Sequence, residues 1–161
     1  MSRRGSTAPE PAGIAAAAGR ARQLVPYRDD PALAAVRGAT VGTPALVRSP
    51  EGEPAFWLVP FIDGRLACGF ARVGLDGRIS QLGAFGSGHH DPPAWPDADF
   101  LSKVPARWWK ELTQRFPEAQ STGAVLSYDQ SPAKWSWRIH LGPQQGVAYI
   151  GPHGWYVRDA S

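Results

Sequence analysis

One pattern written twice limits what this chain can fold into. Gly69-Phe70-Ala71-Arg72-Val73-Gly74-Leu75-Asp76-Gly77 aligns with Gly146-Val147-Ala148-Tyr149-Ile150-Gly151-Pro152-His153-Gly154, and both read Gly-x-Ala-x-Val/Ile-Gly-x-x-Gly. Upstream, Pro54-Ala55-Phe56-Trp57 aligns with Pro132-Ala133-Lys134-Trp135 at nearly the same offset. Side chains alternate along a strand, so Gly69, Ala71 and Val73 share one face. Small groups there leave room for a helix to lie close, and the trailing glycines turn the chain into a last strand. The pattern predicts an α+β fold of two similar units, each a short helix packed on a four-stranded antiparallel meander.

Turn residues set the boundaries. Residues 1–25 read as a flexible N-terminal arm with a possible helix over 12–25, where Ile14, Ala17, Ala18, Leu24 and Val25 make a loose apolar stripe. The first repeat covers 26–83. Asp30-Pro31 starts its helix, because Asp can cap free N–H groups and Pro at the first helical position gives up no hydrogen bond. Extended segments follow at 44–48, 55–62, 65–73 and 78–82, with Asp63-Gly64 and Asp76-Gly77 supplying the positive φ angles of tight hairpins. Residues 84–100 form a Gly/Pro-rich linker loop. The second repeat, 101–161, opens with a helix over 105–116 whose Trp108, Leu112 and Phe116 share a stripe. Strands are expected at 123–128, 134–141, 146–150 and 155–158.

With this order of elements the chain resembles the cystatin-like group of folds, in which a curved antiparallel sheet wraps one helix. Val73-Gly74-Leu75-Asp76-Gly77-Arg78-Ile79 is similar to the end of a PepSY-type repeat, where a Val-x-x-Asp-x-Gly-like hairpin leads into the last strand. The second copy has Pro152-His153-Gly154 in place of the Asp. The resemblance implies a non-catalytic binding or inhibitory role and carries over no functional residue.

Composition removes several classes. The 161 residues are 43% hydrophobic and include seven Trp, enough to fill a core; the charge is +3, without a run of Lys and Arg. Nucleic-acid binders concentrate basic residues on one face, so such a partner is not expected; Arg3-Arg4 and the 20–28 stretch are the places to look. One cysteine, Cys68, excludes an internal disulfide framework and reads as a small core residue. No apolar run reaches the ~18 residues of a membrane helix, and a cytoplasmic location is expected. The glycines of 83–88 lack the Lys of a phosphate loop, so no nucleotide or other cofactor is implied.

Two surfaces stand out for binding. The segment 55–62 is apolar on both faces, so Phe56, Leu58 and Phe61 either meet the other repeat or a second copy in a homodimer, or bind a protein or peptide. Pro60 places this strand at an edge or bulge. Among the aromatics, Trp95, Trp108, Trp135, Trp137, Trp155 and Tyr156 read as core by periodicity. Trp109 sits off its helix stripe and is a candidate contact.

For chemistry, 134–141 alternates cleanly: Trp135, Trp137, Ile139 and Leu141 on one face, Lys134, Ser136, Arg138 and His140 on the other. His140 with Arg138 is a candidate anion or acid/base site, although no carboxylate neighbours it in sequence. His89, His90 and Asp91 have metal-ligand chemistry, but adjacent side chains converge poorly on one ion, and a solvated loop is preferred.

Overall fold

The computed structural model describes residues 10–24, 31–64, 66–84, 104–130, 135–151 and 154–159. In chain order the elements are α1 (Pro11–Leu24), a 3-10 turn (Pro31–Leu33) continued by α2 (Ala34–Arg37), β1 (Thr40–Val41), β2 (Ala45–Arg48), β3 (Pro54–Asp63), β4 (Leu66–Gly74), β5 (Ile79–Ala84), α3 (Ala106–Arg115), a second 3-10 turn (Ser121–Gly123), β6 (Val125–Tyr128), β7 (Trp135–His140), β8 (Val147–Gly151) and β9 (Gly154–Arg158). The fold is α+β, with mostly antiparallel strands and few helices. It divides into two compact units, Met1–Pro44 with Phe56–His90, and Ala45–Ala55 with Asp91–Ser161.

In the first unit β4 lies between β3 and β5, and β1 pairs with β3, all antiparallel. Gly64 and Gly77 take the positive φ angles that the hairpins demand, 62° and 82°. Pro60 sits beside the irregularity between Phe61 and Ile62. Its carbonyl accepts from the Gly42 N–H at 2.8 Å, so the missing proline N–H faces short β1 and not the β4 ladder. The segment read as an arm is helical over 11–24. Pro11 starts the helix, and its Ile14 and Ala18 are buried one turn apart. Arg22 continues that stripe, holding its guanidinium 5.9 Å from the Phe61 ring and donating to the Ala39 carbonyl.

Gly69 has the neighbour that its small size anticipates. A Cβ there would stand 2.6 Å from Val36 Cγ2 of α2 and 2.4 Å from the Gly83 carbonyl oxygen. Its aligned partner differs: Gly146 precedes β8 in a turn, with φ at 80°. The following positions are alike, since Ala71, Val73, Ala148 and Ile150 are all fully buried strand residues.

The second unit runs β2-β6-β7-β8-β9, antiparallel except that β2 pairs in parallel with β6. The strand expected at 44–48 forms as β2, which the compact-unit division groups with the second unit. A side chain explains the attachment. Ser127, buried on β6, donates to the Arg48 carbonyl at 2.8 Å and lies 3.2 Å from that of Ser49. On one face of this sheet Trp137, Ile139, Ala148 and Ile150 are buried. Leu112 of α3 is buried too, and Phe116 meets Trp155 edge-on at 6.4 Å.

Candidate functional site

The register of the second unit decides what its opposite face carries. Arg138 of β7 stands across from Tyr149 of β8, and Tyr149 across from Tyr156 of β9. Directly opposed residues in an antiparallel pair share a face, so these three form one row. The next row is His140, Val147 and Arg158. On the other side lie Ser136, Gly151 and Gly154, a strip of small residues, while Tyr149 in the middle of the row is buried and Tyr156 at its end is exposed. Pro50, Asp129, Gln144 and Asp159 join these rows around an open cleft of about 560 Å³.

Tyr149 and Tyr156 stack with ring centroids 5.4 Å apart and planes 18° from parallel. The Tyr156 hydroxyl donates to Asp129 Oδ2 at 3.0 Å, and the same oxygen accepts from Arg158 Nε at 2.9 Å. Arg158 Nη2 lies 2.8 Å from it as well. Burial first, then the hydrogen bond and charge of Asp129, push the Tyr156 phenol up to about 12. Tyr149 is raised as well, first by burial, with Arg138 pulling the other way and Asp129 and Glu51 adding to the rise. The same Asp129 contacts raise Arg158. The exposed Glu51 carboxyl is held below its ordinary range, first by the neighbouring Ser49 hydroxyl, with the charge of Arg138 adding to the fall.

Arg138 is the exception in this network. Its Nε is buried and has no hydrogen-bond partner. A buried donor left without an acceptor costs on the order of 1–3 kcal/mol, which an incoming acceptor would recover. Phenols pushed upward keep their protons at neutral pH and act as donors. That suits holding a ligand better than abstracting a proton.

His140 is exposed at the rim and also borders a second recess of about 580 Å³ with Glu118, Gln120, Thr122 and Gly142. The carboxylates missing beside His140 in sequence are present in the fold, because Asp129 and Asp159 line its cleft.

The other candidates fall elsewhere. Phe56 and Leu58 lie on one face of β3 and Phe61 on the opposite face, and all three are buried. They do not form one open apolar patch. Arg72 covers the Phe56 ring, 4.2 Å from its centroid. Trp109 on α3 is half-buried. His89, His90 and Asp91 lie outside the described residues, and among the described residues no three His, Cys, Asp or Glu side chains could hold a metal ion. Cys68 is half-buried, and burial raises its thiol. No helix among the described residues is long and apolar enough to cross a membrane.

Tyr156, read as core, is 45% exposed. Together with Tyr149, Arg158 and Asp129 it is what the sequence reading missed. The signal was available in the alternation of 147–151 and 154–158, which places Tyr149, Tyr156 and Arg158 on the face of Arg138 once β7, β8 and β9 are known to be neighbours. The chain matches no family model, no curated protein and no solved structure.

Proposed function

We propose that this is a non-catalytic binding or inhibitory protein that recognises a protein or peptide through the polar face and edge strand of its second unit. The carrying observation is Tyr156, the one large hydrophobic side chain exposed among the described residues. It is stacked on Tyr149, with the Arg158 guanidinium 5.8 Å from its ring centroid, and Tyr149 in turn lines the cleft with Arg138 and His140. Tyrosine and arginine are enriched at interaction hot spots, where a rigid aromatic surface beside a charged fork gives both area and direction. β9 ends the strand order, and among the described residues no strand pairs with its outer edge. Main-chain groups on such an edge suit strand addition.

A cystatin-like, PepSY-like duplication belongs to the same reading. Its support is that β4 and β8 each lie between two antiparallel neighbours, with Ala71 and Val73 in one matched by Ala148 and Ile150 in the other.

The test is a random-peptide display selection on the immobilised full chain, followed by amide chemical-shift mapping of the enriched peptides. Enriched peptides should perturb β7, β8 and β9, and Tyr156→Ala should weaken them. Peptides that map to other elements, or that ignore Tyr156→Ala, would overturn the reading.

A further inference from the structure

The cleft on the second unit holds more hydrogen-bond donors in need of acceptors than the reverse, and that imbalance selects a ligand. Its carboxylate Asp129 is already engaged by Tyr156 and Arg158. Arg158 is thereby satisfied, and Arg48, on the neighbouring strand β2, donates to the Gly52 carbonyl at 3.0 Å. Arg138 Nε has no such partner. Among the described residues no hydrogen bond engages the Tyr149 hydroxyl, directly across the strand pair, or the His140 ring two residues along the same face. The remaining acids, Asp159 in the lining and Glu51 within charge range of Arg138 and Tyr149, are exposed.

We propose that the cleft binds an acidic peptide, with one Glu or Asp carboxylate accepting from Arg138 and Tyr149 while the chain lies along the Tyr149–Tyr156 stack. This rests on the peptide-binding reading above and adds the chemistry of the peptide. A planar carboxylate fits the side of a guanidinium, taking two parallel N–H donors at once. Tyr149 keeps its proton at neutral pH, because burial holds the phenol up. It therefore donates to the carboxylate and does not repel it. Asp159 and Glu51 disfavour anions that arrive from bulk solvent by charge alone. The selectivity comes from the directed donors.

The experiment is an NMR titration of the full ¹⁵N-labelled chain with capped hexaglutamate, compared with capped hexaglutamine and with inorganic phosphate at matched ionic strength. Hexaglutamate should shift the Arg138 Nε–Hε cross-peak saturably, and the two controls should shift it little. Arg138→Lys should weaken hexaglutamate by about tenfold, because an ammonium cannot reproduce the fork. Tyr149→Phe should weaken it less and leave the rest of the spectrum in place. If hexaglutamine moves the β7–β9 resonances as strongly as hexaglutamate, the face binds peptide without reading carboxylates. The peptide-binding reading then stands and this proposal falls. An equal response to phosphate, or no response to hexaglutamate, also overturns it.

Discussion

The Tyr156 hydroxyl reaches across the second unit's polar face to Asp129 Oδ2 at 3.0 Å, and its ring lies stacked on Tyr149. A strand-edge tyrosine held at both ends is a rigid surface feature. Its titration should show this. The folded state keeps the Tyr156 proton up to about 12, whereas an unfolded phenol loses it near ~10. A pKa raised by folding contributes stability that is present below the unfolded value and lost as pH climbs toward the folded one. The melting temperature should therefore fall between pH ~10 and 12, and Tyr156→Phe should fall less steeply. At neutral pH the same variant should lose about 0.5–1.5 kcal/mol, the net worth of one hydrogen bond. An unchanged alkaline slope would show that the hydroxyl is free in solution.

Asp129 holds more than Tyr156 does. It accepts from both Tyr156 and Arg158 through one oxygen and is itself largely buried, its side chain 14% exposed. Asp129→Ala should thus destabilise the protein more than Tyr156→Phe. The Tyr156 phenol, followed by its ultraviolet absorbance, should titrate lower, with burial still keeping it above an ordinary tyrosine. A titration unmoved by Asp129→Ala would mean that burial alone sets it.

Strand positions were largely legible in the sequence because hairpin glycines and alternation are local signals. Asp63-Gly64 and Asp76-Gly77 marked the turns, and Trp137, Ile139 and Leu141 alternated with Arg138 and His140 as the burial confirms. What alternation cannot give is the neighbour. Nothing local in 45–48 says that it pairs in parallel with β6, and nothing in 154–158 says that Tyr156 stacks on Tyr149. The apolar segment 55–62 was correctly read as needing cover on both faces. Its burial removes Phe56, Leu58 and Phe61 as an open patch, and the candidate site moves to a face recognised through Arg138 and His140 alone.

Ser127 is the buried polar residue among those described, and its hydroxyl ties β6 to the Arg48 and Ser49 carbonyls. Ser127→Ala should cost about 1 kcal/mol, a modest loss with a local signature. Hydrogen exchange at 45–49 should quicken relative to β7 and β8, because the parallel pairing there rests on a single register pair, Arg48 with Ser127. Uniform acceleration across the second unit would instead mark Ser127 as ordinary core.

Gly69 and Gly146 occupy the same place in the repeated pattern and should fail for different reasons. At Gly69 the backbone is ordinary and the space is taken, with Val36 Cγ2 and the Gly83 carbonyl both inside contact distance of an added Cβ. Gly69→Ala should cost about 1–3 kcal/mol by overpacking, and the larger Asn should cost more. Trimming the neighbour should recover part of the loss, so Val36→Ala and Gly69→Ala should couple favourably in a double-mutant cycle. At Gly146 the constraint is φ at 80°. Ala there should lose about 1–2 kcal/mol to left-handed strain, and Asn, which tolerates that conformation, should lose less than Ala. Thermal melts of the four single variants decide between the two causes by the order of Ala and Asn at each site. The same order at both would mean that the two glycines do one job, and the contact with Val36 would lose its role in seating α2.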